Sequence, residues 1–136
     1  MKAGSKKTIA RILLGLVALF MLANGLQIMF APELAIEGLL VSADGPEALS
    51  NVRALWGGAI TAIGISVVFA AVTGEIINAR PAVLFTFALI IARTAGLVID
   101  GTFDRAILYI VVPIIVFLIL LTAHKLLDQA AASETA

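Results

Sequence analysis

The stretch AILYIVVPIIVFLILLTA, residues 106–123, runs for 18 residues without a charged side chain. As an α-helix it would rise about 27 Å, close to the ~30 Å hydrocarbon core of a bilayer, so it reads as a membrane-crossing helix. Three further apolar stretches precede it, at 9–31, 52–73 and 82–99, and each is near the ~20 residues that a crossing needs. Two of the connections between them are short, which makes the helices they join antiparallel neighbours. The expected fold is an all-α membrane protein, an antiparallel four-transmembrane-helix bundle that forms one domain over 1–126. The Ala-rich, polar residues 127–136 are expected to fray into a disordered cytoplasmic tail.

Composition points the same way. Of 136 residues, 62% are hydrophobic and only 13% charged, with a mean hydropathy of +1.13. Soluble domains run near ~45–50% apolar and about 25% charged. A soluble domain of this size buries only roughly two-thirds of its unfolded surface, so the excess apolar residues need a non-aqueous solvent. Nine basic and nine acidic residues sum to zero net charge, which excludes the strong basic field of a nucleic-acid binder. The chain has no cysteine, which excludes a disulfide framework, thiolate metal sites, redox dithiols and covalent c-type haem attachment.

Orientation follows from the basic residues, which favour the cytoplasmic side. Lys2, Lys6, Lys7 and Arg11 open the first span, Arg80 lies between the second and third, and Lys125 follows the fourth, against Arg53 and Arg105 on the opposite side. Both termini are thus expected in the cytoplasm. The basic start and Leu-rich core resemble a signal peptide, but the apolar run continues to Ala31 without a small-x-small cleavage site, and a retained helix is expected. The long outer connection sets Leu34, Ile36, Leu39 and Leu40 among Glu33 and Glu37. That pattern reads as a short interfacial helix over 33–41, with an irregular loop as the plainer alternative. Asp44-Gly45-Pro46 is turn chemistry, and Ser50 or Asn51 is placed to cap the second span.

An ionisable residue within a span costs about 2.5–3.5 kcal/mol at mid-bilayer on insertion scales, which makes Arg93 the first residue in need of an explanation. At about 100° per residue, Thr86, Arg93, Gly96 and Asp100 share an arc of roughly 80°, one polar, small-residue stripe that should face protein. Arg93 precedes Asp100 by seven residues, or roughly 10 Å of depth, and its side chain leans toward the cytoplasmic end of the helix. A lateral partner is therefore expected. Asn24 and Gln27 lie near the outer end of the first span, while Asn51 and Arg53 open the second. Arg53, Gly57, Thr61 and Gly64 share a stripe, with Ala54, Gly58 and Ala62 as a small-xxx-small row beside it, so close packing is expected at Gly57, Gly58, Gly64 and Gly96. The inferred site is an outer polar pocket lined by Asn24, Gln27, Asn51, Arg53, Arg93 and Asp100, above a dry cytoplasmic half. Packing pairs that merely fix helix register, Arg93–Asp100 or Arg53–Asp100, stand as the equal alternative.

The remaining polar and aromatic residues carry weaker signals. His124, the only histidine, is read as interfacial, and no spacing suggests a metal site. Trp56 and Tyr109 fall near the outer helix ends, where aromatic belts sit, in preference to a pigment or quinone box. Pro113 should kink the fourth helix, which is expected to be the most lipid-exposed or else a partner-binding face.

The strings Asn51-Val52-Arg53-Ala54-Leu55-Trp56-Gly57-Gly58 and Arg93-Thr94-Ala95-Gly96-Leu97-Val98-Ile99-Asp100-Gly101 carry a resemblance. The chain resembles, over residues 12–126, the bacterial membrane family named domain of unknown function 4345, itself distantly similar to the DoxX-like four-helix proteins. The resemblance implies a four-span protein of the bacterial inner membrane and marks Asn51, Arg53, Gly57, Gly58, Arg93, Asp100 and Gly101 as pattern positions. It implies no settled activity, although some DoxX-like relatives are associated with quinone-linked oxidation.

Three functions are weighed on these grounds. The leading expectation is a non-enzymatic membrane protein that binds a lipid or quinone-like amphiphile, or a partner membrane subunit, through the outer pocket. Two arginines near an outer surface suit an anionic or polar headgroup better than a cation. A small oligomeric transporter or channel is the second, weakened by the lack of an acidic residue deep in the first span and of a polar path through the cytoplasmic half. An accessory subunit of a quinone-linked redox complex is the third, and it would have to take its chemistry from a cofactor or another chain.

Overall fold

The computed structural model describes residues 3–39, 45–102 and 105–134, which are helical apart from short connections, with no strand among them. Helix α1 spans Ala3–Phe30 and is followed by the short α2, Pro32–Leu39. Helix α3 spans Gly45–Thr73, α4 spans Ile76–Ile99, and α5 spans Ala106–Glu134. Helices α1, α3, α4 and α5 are each long and apolar enough to cross a membrane. Their outward faces agree with that reading. Leu19, Phe30, Leu55, Leu84, Val98 and Ile107 are all well exposed, an apolar surface too extensive for a protein surrounded by water.

Helix α1 is central and packs along both α3 and α5, while α4 rests on α5 and meets α3 mainly around its first turn. The α1–α3 seam is antiparallel, since Leu22 faces Gly64, Gly25 faces Thr61 and Met29 faces Gly57. Small residues let the two backbones approach, which in lipid is the main route to helix association because lipid tails are as apolar as leucine. A Cβ on Gly25 would fall 2.4 Å from Thr61 Oγ1 and 2.6 Å from its backbone nitrogen; on Gly57 it would fall 2.6 Å from Met29 Cγ. The Thr61 hydroxyl donates to Met29 Sδ at 3.4 Å across the same seam. Ala54 and Ala62 are exposed, and a Cβ on Gly58 or Gly96 would make only ordinary contacts. The close-packed row is thus Gly57, Thr61 and Gly64 with Gly25 opposite, and the expected roles of Gly58 and Gly96 in packing do not hold.

Below this seam lies an apolar core of Leu14, Val17, Ala18, Val67, Ala82, Leu120 and Ala123, in the half that holds the α3–α4 turn, the start of α1 and the end of α5. Thr86 is buried beside it and satisfies its hydroxyl on the Ala82 carbonyl at 2.6 Å. Arg11 closes the same end by donating from Nε to the Ala71 carbonyl at 2.7 Å and from its second nitrogen to the Val72 carbonyl. These are carbonyls of the last turn of α3, which have no intrahelical partner, so the guanidinium both satisfies and neutralises that helix end.

Several expectations change. The second span begins seven residues before Val52, at Gly45, because Gly45 takes a left-handed φ of +88° and Pro46 presets the first helical turn. Asn51 is accordingly helical, makes no side-chain capping bond, and does not start the helix. Residues Val52–Gly58 form a π-helical segment, and its wider turn shifts the register on which Arg53 was aligned with Gly57, Thr61 and Gly64. The tail is also helical, as α5 continues to Glu134 with Leu127 and Ala130 buried and His124 Nε2 paired to Asp128 at 3.6 Å. Alanine, the strongest helix former, and burial of one face outweigh the polarity that suggested fraying. The helix runs unbroken through Pro113. The most exposed span is α4, with 11% of its most apolar window buried against 28% for α5, because α4 has only one long partner. Helix α2 covers most of 33–41; residues 40 and 41, like Asp44, lie outside the described residues.

Two substitutions test this packing. Gly25→Ala should lower stability by about 1–3 kcal/mol through overpacking, read as a drop in thermal unfolding temperature in detergent. Gly15→Ala, inside the same helix where a Cβ would meet nothing within 4 Å, should instead raise stability by about 0.4–1 kcal/mol through helix propensity. Arg11→Ala should cost about 1–2 kcal/mol by stripping the α3 carbonyls of a charged donor, measured in the same assay with Arg11→Lys recovering part of the loss.

Candidate functional site

The candidate site is built where α4 and α5 leave the apolar core and approach the connection at residues 100–105. Two aromatic contacts hold this pair of helices. Phe87 of α4 stacks on Phe117 of α5 with ring centroids 5.9 Å apart and planes at 30°. Further along, the Arg93 guanidinium carbon lies 4.9 Å from the centroid of the Tyr109 ring. A guanidinium over an aromatic face is attracted by the ring quadrupole, by about 0.5–2 kcal/mol depending on desolvation. Such a face accepts charge but offers no lone pair in the plane where the five N–H donors point.

No carboxylate lies within 4.0 Å of the Arg93 guanidinium among the described residues. Asp100 remains exposed at the end of α4, its backbone N–H donating to the Gly96 carbonyl at 2.7 Å and its carboxylate folded back toward Gly96. Neither Arg93–Asp100 nor Arg53–Asp100 forms an ion pair. Arg53 instead meets Glu33 of α2, at 3.6 Å, with both side chains about half exposed. A pair so open to solvent contributes about 0–1 kcal/mol; it joins α2 to the π-helical segment Val52–Gly58 of α3.

The other expected lining residues are also placed apart. Asn24 turns its amide back to donate to the Phe20 carbonyl of its own helix at 2.7 Å. Gln27 and Asn51 are exposed, and the Gln27 carbonyl accepts from the Ala31 N–H at 2.8 Å. Among the described residues no hydrogen bond or ion pair joins any two of Asn24, Gln27, Asn51, Arg53, Arg93 and Asp100. Two arginine sites exist, Arg53 with Glu33 and Arg93 with Tyr109. The sequence reading missed both partners. The signal for Tyr109 was weak, because Arg93 lies six residues inside the end of α4 and Tyr109 three inside the start of α5, about one helical turn apart in depth. The signal for Glu33 was its place, as an acid, in the first turn of a loop helix directly after the first span.

The chemistry available here is recognition. Arg93 supplies a fixed positive charge beside an aromatic ring, with donors that no hydrogen bond or ion pair takes up among the described residues. Groups of three or more His, Asp or Glu that could hold a metal ion are absent among the described residues.

Comparison with curated proteins and with solved structures returned no match. A family model does match, described as a domain of unknown function, DUF4345, and it covers residues 9–124. That interval takes in α3 and α4 whole, α1 from Ile9 onward and α5 as far as His124, including both motif strings, and the chain belongs to the DUF4345 family.

Proposed function

We propose that this protein is a non-enzymatic, multi-pass protein of the bacterial inner membrane that binds an amphiphile, a lipid or quinone-like molecule, with its polar headgroup at Arg93 and Tyr109. The observation that carries the reading is a guanidinium on a membrane-length helix with an aromatic face beneath it and no carboxylate beside it among the described residues. Placing a charge within a span is expensive, and the cost is ordinarily offset by a partner. A phosphate or a quinone carbonyl would supply the missing acceptor, and the exposed apolar flank of α4 would receive the chain. In this reading both termini are cytoplasmic, because Lys6, Lys7, Arg11, Arg80 and Lys125 gather at one end. The Arg93 site then faces the outer leaflet, and α2 lies along that leaflet's interface. A partner membrane subunit that presents a carboxylate would meet the same need, and the test separates the two.

Protein purified from membranes in mild detergent should carry an amphiphile identifiable by mass spectrometry. Arg93→Leu should reduce its occupancy about tenfold, the effect of losing one charge-assisted contact of ~1.5 kcal/mol, while leaving the unfolding temperature of the delipidated protein unchanged or higher. Equal occupancy in wild type and Arg93→Leu would defeat the reading. Loss of stability without any loss of amphiphile would mark Arg93 as a packing residue, and a co-purifying polypeptide lost on the same substitution would favour the partner subunit.

A further inference from the structure

A second cleft lies at the opposite end of the α4–α5 pair, away from Arg93. It is lined by Ile76, Arg80, Val83 and Leu84 of α4 and by Leu121 and His124 of α5. Its residues are ordered along the helix axes. Arg80 and His124 sit at the mouth, level with the α3–α4 turn, while Val83 and Leu84 lie about one turn deeper on α4 and Leu121 about one turn deeper on α5. That order, cation at the edge and aliphatic surface inward, is the order of a phospholipid from phosphate to acyl chain. Arg80 is exposed and has no ion pair among the described residues. His124 pairs through Nε2 with Asp128, while its Nδ1 is buried with no hydrogen-bond partner. The Arg80 guanidinium thus leaves, at the mouth of an apolar cleft and beside the His124 ring, hydrogen-bonding capacity that no described residue takes up.

We propose that this cleft binds an anionic phospholipid, with the phosphodiester held by Arg80 beside the His124 ring and an acyl chain laid along Val83, Leu84 and Leu121. Charge selects the occupant. Basic pockets between membrane helices favour anionic over zwitterionic headgroups, by the attraction that a basic group near a bilayer surface exerts on negative lipid. The site is separate from Arg93 and does not depend on what binds there. It also gives the weakly packed α4 a second contact with α5, made through the lipid.

Native mass spectrometry of the full-length protein in neutral detergent tests this, with phosphatidylglycerol and phosphatidylcholine of identical chains offered in competition. Wild type should retain phosphatidylglycerol in preference by about fivefold, the factor one basic group near a bilayer surface confers. Arg80→Gln should abolish the preference and His124→Gln should reduce it. Arg80→Lys should keep most of it, because a point charge still attracts phosphate, and Arg93→Leu should leave it intact. Equal retention of the two lipids by wild type, or a preference that survives Arg80→Gln, would overturn the proposal. So would complete displacement of the lipid by inorganic phosphate alone, which would indicate a free-anion site, or dimers in place of lipid adducts. Should Arg80→Gln fail to purify as a folded protein, the His124→Gln comparison decides the matter.

Discussion

The backbones of α1 and α3 approach so closely at Gly25, Gly57 and Gly64 that a single added methyl group at the first two would overlap the neighbouring chain. Inside a bilayer, burial of apolar surface gives no preference for helix over lipid, so contact distance and van der Waals packing decide which helices associate. This seam makes α1 the centre of the bundle, flanked by α3 on one side and α5 on the other. Helix α4 is left with α5 as its one long neighbour, and the Phe87–Phe117 and Arg93–Tyr109 contacts lie along that pair. The candidate site is thus a consequence of a seam to which it makes no contact.

Four arginines illustrate how such a protein places charge. Arg11 lies over the unpartnered carbonyls at the end of α3, Arg53 reaches a carboxylate on the neighbouring short helix, and Arg93 lies on an aromatic face. Arg80 alone stands at the mouth of an apolar cleft with no counter-charge among the described residues. The first two solutions are complete within the chain. The last two leave donors that an external acceptor can use, and both lie on α4, the helix with most of its surface turned away from protein.

The number, approximate position and apolar character of the four long helices were legible in the sequence, because span length and hydropathy are local properties set by bilayer thickness. The close approach at Gly57 and Gly64 was legible for the same reason, since a stripe of small residues needs only helical periodicity to be seen. The extent of the second span and the tail was misread where local polarity, at Asp44 to Asn51 and after Lys125, was weighed above backbone preference. Gly45 with Pro46 starts a helix wherever the chain permits it, and an alanine-rich tail continues one when a face such as Leu127 and Ala130 is buried.

By itself, then, the sequence determined that this is a chain of four membrane-length helices with intramembrane arginine and a glycine-bearing second span, all consequences of composition and period along one dimension. Which helix lies at the centre, and which group answers each arginine, was decided only by the tertiary structure. Partner choice depends on lateral neighbours and on rotation about each helix axis. The π-helical turn at Val52–Gly58 alters that rotation by an amount no regular period anticipates, and Arg53 pairs with Glu33 and not with Asp100.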